Sequence, residues 1–456
     1  MKFSLLDNLS ALSLKKGHER SIKAKRNVFY SFGLQGVSIV IGLLYVPLLI
    51  DYLDTERYGI WLTLSSLLGW FEFFDIGLGN GLRNKFTEAI ARENHTLARS
   101  YVSTTYALLT IIFSTVLLVF FIVNPFLSWT SILNTTIVTD QELTLLALVV
   151  FTFFILRFIF KIIGTILMAD QRPAVSNAFA PIGSVITLLV LLFLIRLSNE
   201  GSLIVLGSLL SVVPVIILII ASIILFRGRY RKYSPALKYV DFKYTSDIMK
   251  LGSRFFVIRI ASVILFTTSN IIITQILGPE SVTVYNIAHK YFSIPIMVFS
   301  IIMTPVWSAV TDAYVKNDFE WLKNVLKKLN LLSIIFVAGI IAMLFLSRFA
   351  YHLWVGDRVT VPFLLSAMMT LFAIINVTLT PFTQFINGCG KLKLSTIVVY
   401  FQVILFIPLA ILLTRSTMGV AGVMLATCLV NGIGLFFEPV QALKLLNGKA
   451  NGIWNK

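Results

Sequence analysis

Long apolar stretches recur along the whole chain and decide which class of fold it can adopt. A helix that crosses a bilayer needs about 20 mostly apolar residues. Charge is sparse, because only 13% of the 456 residues are charged, whereas about a quarter are charged in a typical soluble protein. We predict an all-α membrane protein with twelve transmembrane helices, near residues 27–50, 58–82, 101–124, 143–168, 174–196, 203–226, 252–276, 283–308, 329–347, 362–387, 394–414 and 419–440.

Basic residues are divided unequally between the two sides that such a topology creates. An even number of spans puts both termini on one side, together with the tail 1–26 and the long central connection 227–251, which are rich in Lys and Arg. By the positive-inside rule this side is predicted to be cytoplasmic. The same asymmetry accounts for the formal net charge of +17, so no nucleic-acid partner is predicted. The opposite side holds only Arg57, Arg196, Arg348, Arg358 and Arg415.

The long connection at the midpoint divides the spans into two sets of six. We predict an N-lobe at 27–226 and a C-lobe at 252–440, joined by a cytoplasmic linker at 227–251 and flanked by cytoplasmic tails at 1–26 and 441–456. The turn Leu53-Asp54-Thr55-Glu56 in the first half corresponds to Leu277-Gly278-Pro279-Glu280 in the second. Such duplication occurs in many transporters, and it favours transport over other membrane functions.

Ionisable side chains inside the predicted spans are the candidate site residues. A charge at the centre of a membrane helix costs about 2.5–3.5 kcal/mol on insertion scales, so it usually faces a partner or a wet cavity. Pairing of acids with bases would explain part of the set, and snorkelling to the interface would explain Lys161. Cations remain in excess, which predicts a cationic cavity for an anionic ligand such as a phosphate or pyrophosphate. The acids are Glu72, Asp75 and, near a span end, Glu438; the bases are Arg157, Lys161, Arg259 and Lys290.

Other motifs in the spans indicate candidate hinges or argue against nucleotide, metal and cofactor sites. Pro295 and Pro305 lie in one predicted span and are candidate hinges, because each proline removes a backbone hydrogen bond; prolines are also tolerated in ordinary membrane helices. Gly77, Gly79 and Gly81 close a predicted membrane helix, whereas a nucleotide-binding loop follows a strand. The His and Cys residues are scattered, so neither a metal nor a cofactor is predicted.

The order of motifs in the first hundred residues resembles that of a known family. Lys25-Arg26-Asn27 is followed by Val46-Pro47-Leu48-Leu49, by a turn that ends in Tyr58-Gly59, and by Asp75-Ile76-Gly77-Leu78 before Arg83. This order resembles the O-antigen-type polysaccharide flippases (Wzx-type), the polysaccharide transporter family of the MOP superfamily, which also contains the MATE drug exporters. Tyr58, Gly59, Gly77 and Arg83 carry the match.

The resemblance implies a fold and a function. The fold would be two six-helix bundles that form a V around a central cavity, in a bacterial inner-membrane protein that is not an enzyme. The substrate would be an oligosaccharide on a polyprenyl pyrophosphate, such as an O-antigen, capsule or exopolysaccharide repeat unit. Independently of the resemblance, we predict membrane lipids and the polysaccharide polymerase machinery as partners, and Glu72 and Asp75 as candidates for coupling transport to H+ or Na+ or for ion pairs.

Two alternatives stay open at this point. A MATE-type exporter of drugs or organic cations would need acids in its cavity, and the excess of bases argues against it. A membrane polysaccharide polymerase or ligase would be expected to carry a large loop outside the cytoplasm, and the sequence has none.

Overall fold

The structure is a computed structural model, and it describes residues 19–70, 78–170, 172–197, 201–246, 268–391 and 393–455. These ranges contain helices and no strand, which confirms the all-α class. The helices are α1 (Glu19–Leu53), α2 (Thr55–Trp70), α3 (Leu78–Ala91), α4 (His95–Val123), α5 (Trp129–Ile132), α6 (Asp140–Phe160), α7 (Ile162–Ala169), α8 (Pro173–Leu197), α9 (Leu203–Arg227), α10 (Thr268–Leu277), α11 (Pro279–Val315), α12 (Phe319–Val355), α13 (Phe363–Cys389), α14 (Lys393–Arg415), α15 (Val420–Gly432) and α16 (Gly434–Leu446).

Ten stretches of helix in the described residues are long and apolar enough to cross a membrane. They coincide with ten of the twelve predicted spans, so the chain is a multi-pass membrane protein. The other two predicted spans, 58–82 and 252–276, extend into residues that the structure does not describe. The total of twelve therefore stays a prediction.

Several helices extend beyond the apolar runs that predicted them. Helix α1 begins at Glu19, inside the predicted tail 1–26, and α16 continues to Leu446, inside the predicted tail 441–456. In α16 the additional turn is held by packing, because Ala442 and Leu445 are buried. Apolarity alone marks the length of a bilayer crossing, so a sequence scan misses helical turns that continue into the interface.

Polar caps fix where the long helices start. The Asn94 side chain accepts a hydrogen bond from the backbone N–H of Leu97 at the start of α4, and Asp318 does the same for Trp321 at the start of α12. These caps satisfy backbone donors that have no partner within the helix. Helix α13 ends at Cys389, and the next residue, Gly390, adopts the left-handed conformation with φ +70°. Glycine is favoured at such a helix end.

The described residues pack into two compact units. The first is formed from the described parts of Met1–Tyr45, Phe73–Leu127 and Gln141–Phe256, and the second from those of Val46–Glu72, Ser128–Asp140 and Val257–Lys456. The second unit includes residues 46–70 and 128–140, which lie within the predicted N-lobe 27–226. The physical reason is the contact of α2 with α10 and α11, described below. The two six-helix lobes and their V arrangement stay a prediction.

Aromatic and apolar side chains form the interior of each unit. In the first, α4 and α6 are joined by stacked ring pairs, Phe120 with Phe151 and Phe113 with Phe158, at centroid distances of 3.8 and 4.8 Å. In the second, a buried cluster joins the ends of α11, α13 and α16 to the start of α12, and it consists of Val310, Ala313, Leu322, Leu326, Phe385, Ile386, Cys389, Ala442, Leu445 and Ala450.

A close backbone contact in the second unit gives a test of this packing. A Cβ atom on Gly422, in α15, would lie 2.3 Å from the carbonyl oxygen of Leu413, whereas one on Gly432 of the same helix would meet nothing within 4 Å. We expect Gly422→Ala to destabilise the protein by about 1–3 kcal/mol through overpacking. Thermal unfolding of the purified protein in detergent measures the effect, with Gly432→Ala as the matched control. Equal melting temperatures for the two variants would contradict the packing of α15 against α14.

Candidate functional site

A row of small and polar residues lies where α2 packs against α10 and α11. On α2 these residues recur every three or four positions and therefore share one face of the helix. The opposite side of the contact carries two such residues from each of the other helices. We call the whole set the polar seam; it comprises Thr55, Gly59, Thr63 and Ser66 on α2, Asn270 and Thr274 on α10, and Thr283 and Asn286 on α11.

Hydrogen bonds cross the seam between α2 and α10. The hydroxyl oxygens of Thr63 and Thr274 lie 2.6 Å apart, and both side chains are buried, at 1% and 0% exposure. Thr63 Oγ1 also donates to the carbonyl of Gly59 at 2.9 Å. Because the Thr63 hydroxyl hydrogen is then used for Gly59, the Thr274 hydroxyl donates to Thr63 Oγ1. Both hydroxyl groups are thereby hydrogen-bonded.

A second set of bonds extends the seam to α11. Asn270 Nδ2 donates to Ser66 Oγ at 2.6 Å, and Asn286 Nδ2 donates to Asn270 Oδ1 at 3.0 Å. At the other end of the seam, Thr283 Oγ1 donates to the Thr55 carbonyl at 2.8 Å. All these partners are neutral, and the bonds follow α2 from its first residue for eleven residues, about 16 Å of helix.

Gly59 allows the backbones to touch at the centre of this contact. A Cβ atom at this position would lie 1.8 Å from the carbonyl oxygen of Pro279, the first residue of α11. Only glycine can occupy such a site, because any side chain would push the two helices apart. The neighbouring Tyr58 is buried at 1% exposure. The Tyr58-Gly59 motif therefore has a packing role in this chain.

The short connection between α4 and α6 adds polar contacts to the same end of the second unit. Asn134 Nδ2 donates to the Thr274 carbonyl at 2.9 Å, and Thr135 Oγ1 donates to Glu56 Oε1 at 3.1 Å. Gln275 Nε2 donates to the Ile132 carbonyl at 2.6 Å. These bonds attach the connection to both α2 and α10.

An ion pair lies at the same end of this unit. Arg358, just after α12, pairs with Asp51 in the last turn of α1, and its Nη2 donates to Asp51 Oδ2 at 3.0 Å. Both side chains are partly exposed, at 43% and 40%, so the pair adds little stability. It joins the last turn of α1 to the residues that follow α12.

Lys290 is the predicted cation that lies nearest to the seam along the chain. It follows Asn286 by four residues and Thr283 by seven, so it lies on the same face of α11, one turn beyond the seam. The side chain is half-buried. Lys290 therefore shares a face of α11 with the seam residues Thr283 and Asn286.

Arg157 and Lys161 belong to the first unit. Arg157 is exposed in the last turn of α6, and Lys161 lies at the break between α6 and α7. The Lys161 ammonium lies 3.9 Å from the centroid of the Phe158 ring, a cation–π contact that stabilises a charge away from water. The predicted snorkelling of Lys161 and its role in a cavity both stay predictions.

Four of the predicted site residues lie outside the described residues, namely Glu72, Asp75, Gly77 and Arg259. Their roles stay predictions. Arg83 is exposed on α3. Helix α11 runs through Pro295 and Pro305 without interruption, and the hinge role of these prolines stays a prediction.

Two features of the second unit have no counterpart in the predicted site. The polar seam is the first; its sequence signal is the spacing of small and polar residues on α2. The second is the hydrogen bond that Glu438, the predicted acid near a span end, accepts from Thr383 Oγ1 at 2.5 Å. Within the described part of the chain, no three His, Cys, Asp or Glu residues come close enough to hold a metal ion.

Comparison with known families decides where the chain belongs. A family model described as "Polysaccharide biosynthesis protein" matches residues 24–310, which is more than half of the 456 residues. The chain belongs to the polysaccharide biosynthesis protein family. The match includes Tyr58, Gly59 and Arg83, so the resemblance carried by these motifs is confirmed. A second model, MatE, matches residues 255–412 and links this family member to the MATE transporters.

Relatives of this polysaccharide biosynthesis protein are similar along nearly their whole length. One is a protein of Yersinia pseudotuberculosis named for O-antigen export, 25% identical over 384 residues, with 82% of this chain and 85% of the relative covered. Another is a protein of Salmonella typhimurium named for O-antigen transport, 22% identical over 413 residues, with 87% and 91% covered.

Solved structures support the fold of this family member. A multidrug resistance MATE family transporter of the MOP superfamily, in an inward-facing conformation, superposes with a TM-score of 0.75 at 14% identity and covers 98% of this chain and 99% of its own. The lipid II flippase MurJ superposes with a TM-score of 0.71 at 14% identity and covers 92% and 90%. The similarity at this level of identity is one of fold.

The close approach at Gly59 gives a prediction for the seam. We expect Gly59→Ala to force α2 away from α11 and to destabilise the protein by at least about 1–3 kcal/mol, because the clash is with backbone that cannot rotate away. Gly42→Ala is the control, since a Cβ there meets nothing within 4 Å. Thermal unfolding in detergent compares the two variants. A Gly59→Ala variant as stable as the control would show that α2 does not contact Pro279.

The buried threonine pair gives a second prediction. Thr63→Val should cost about 1–3 kcal/mol, because it leaves the hydroxyl of Thr274 buried without a partner. Thr63→Val combined with Thr274→Val should cost less than the sum of the two single changes. A double-mutant cycle on unfolding free energies measures this coupling. Additive effects would contradict a direct hydrogen bond between the two side chains.

Proposed function

We propose that this protein flips a polyprenyl-pyrophosphate-linked oligosaccharide across the bacterial inner membrane, without catalysing a chemical reaction. The observation that carries the proposal is the similarity to relatives named for O-antigen export and transport over more than four-fifths of both chains. Membership of the polysaccharide biosynthesis family supports it. The shared fold with the lipid II flippase MurJ is also consistent with it.

The deep cations are proposed to bind the anionic part of the substrate. A pyrophosphate that leaves water needs charged partners to offset its lost hydration, and Arg in particular can bind phosphate oxygens with two parallel bonds. Arg157, Lys161, Arg259 and Lys290 are the candidates. The position of Lys290 one turn beyond the polar seam supports its inclusion. The polyprenyl tail would stay in the lipid.

The polar seam is proposed to close the substrate pathway on the non-cytoplasmic side. Its bonds join neutral groups, and each contributes about 0.5–1.5 kcal/mol, so a set of them can hold the pathway shut and still be broken during transport. Release of the substrate would then require α2 to separate from α10 and α11. Pro295 and Pro305 are the proposed hinges in α11.

The remaining parts of the proposal concern orientation and coupling. Both termini and the connection 227–251 are proposed to be cytoplasmic, since they carry most of the Lys and Arg. Glu72 and Asp75 are proposed to couple the cycle to H+ or Na+. Membrane lipids and the polysaccharide polymerase machinery are the proposed partners.

Loss of the deep cations tests the binding role. We expect the combined variant Arg157→Gln, Arg259→Gln and Lys290→Gln to reach the membrane in normal amounts but to lose glycan export. Of the four candidate cations, only Lys161 would remain to bind the pyrophosphate. Surface polysaccharide and the leaflet that holds the lipid-linked precursor are the measurements. Arg196→Gln is the control, since Arg196 is exposed at the end of α8. Normal export by the triple variant would exclude a cationic binding role.

A MATE-type exporter of organic cations is the second candidate. The MatE model matches residues 255–412, and MATE transporters share the fold. Deletion of the gene separates the two. Loss of surface glycan, with the precursor trapped facing the cytoplasm, supports the flippase; unchanged precursor distribution with altered drug sensitivity supports the exporter.

A further inference from the structure

The connection that follows α9 is bound to the first unit along a defined part of α4. We call residues 228–246 the linker segment. Near its start, Tyr230 donates a hydrogen bond to Asp170 Oδ2 at 2.5 Å, and Arg229 Nε lies 3.4 Å from the same oxygen. A little further on, Tyr233 Oη lies 2.8 Å from His95 Nδ1, at the first residue of α4.

Further contacts carry the linker segment along α4. Arg99 Nε donates to the carbonyl of Ser234 at 2.9 Å, and the guanidinium lies over the ring of Tyr239 at 4.2 Å. The backbone N–H of Asp241 donates to Thr104 Oγ1 at 3.0 Å. From His95 to Thr104 the segment therefore follows nine residues of α4, about 14 Å along the helix axis.

This stretch of α4 lies at the border of the membrane. The charges of α4 are confined to its first turns, and from Tyr106 to Val123 the helix carries no charged residue. A bilayer crossing takes about 20 residues, so it occupies this later part of α4. Helix α9, a bilayer-crossing helix, ends at Arg227, immediately before the linker segment. Both helices place the segment at the depth of the lipid headgroups.

The outer side of the linker segment combines exposed apolar groups with bases. Leu237 is 91% exposed and Phe242 is 53% exposed. Lys238 and Lys243 follow them directly and are exposed. Lys243 also donates to Asp241, and this bond holds the pKa of the Asp241 carboxyl below its usual value. The linker segment, residues 228–246, holds five basic residues and one acidic residue.

We propose that the linker segment is a membrane-surface anchor that binds anionic phospholipids of the leaflet next to it. Leu237 and Phe242 insert at the boundary between headgroups and acyl chains, as apolar residues of interfacial segments do. Lys232 and Lys238 bind the lipid phosphates, because clustered bases beside a transmembrane helix attract anionic headgroups. The proposal concerns bulk phospholipid and does not depend on what the protein transports.

A depth measurement on the full-length protein tests the insertion. Leu237→Cys is labelled with an environment-sensitive fluorophore, and the protein is placed in nanodiscs of phosphatidylcholine with or without phosphatidylglycerol. Lipids with a spin label near the headgroup serve as quencher. We expect strong quenching and a blue shift at position 237 when phosphatidylglycerol is present. The chain without an added cysteine gives the background, since Cys389 and Cys428 are buried.

A label at a second position of the same unit is the depth control. Arg92 has a side chain that is 73% exposed, and it lies in the turn between α3 and α4, before the first residue of α4. The fluorophore on Arg92→Cys should be quenched weakly in both kinds of nanodisc. Equal quenching at positions 92 and 237, or no quenching at 237, would overturn the proposal.

Removal of two charges tests the lipid preference. In the labelled protein, Lys232→Gln with Lys238→Gln should abolish the additional quenching that phosphatidylglycerol causes at position 237. Lys393→Gln with Lys449→Gln makes the same charge change at exposed lysines elsewhere and should leave it intact. Elution as a single species on gel filtration verifies that each variant is folded. Equal quenching with and without phosphatidylglycerol, or equal loss in both double variants, would overturn the anionic preference.

Discussion

The bilayer imposes the constraint on which the rest of this structure depends. Within the hydrocarbon no water is available, so every backbone N–H and C=O must be paired inside the protein. Helices meet this requirement by themselves, which is why the described spans are all helical. The constraint also removes the usual driving force for helix association, because a lipid tail is as apolar as a leucine. The partners of each helix must be specified by shape and by polar contacts.

The polar seam shows how this chain specifies one such partner. Gly59 lets the backbone of α2 reach Pro279, and hydroxyl and amide groups on the same face complete the contact. Small residues and interhelical hydrogen bonds are the usual means of joining helices in lipid. Because the seam contains no buried ion pair among its eight residues, it avoids the large cost of separating charges inside a membrane. A contact of this kind is compatible with the proposed closure, which would have to open in each transport cycle.

Charge is used differently in different parts of the molecule. Lys290 lies beyond the seam on α11, where a cation inside a membrane helix is costly, and binding of the pyrophosphate is the role that we propose for it. In the linker segment the bases are proposed to lie at the membrane surface, where charge costs little and attracts anionic headgroups. The ion pair of Asp51 with Arg358 is partly exposed and adds little stability. On these proposals, the depth of a basic side chain in the membrane decides which anionic group it binds.

The sequence by itself determined the class of the protein, ten of its spans and its family, since these depend on apolar length and local motifs that a linear reading detects. It also identified Tyr58-Gly59 and Lys290 as notable. Only the tertiary structure decided that Gly59 faces Pro279, that residues 46–70 pack with the second unit, and that Thr63 meets Thr274 across 211 positions of the chain. A threonine on an apolar helix looks the same in sequence whether it bonds its own backbone or another helix, so pairings of this kind depend on three-dimensional packing.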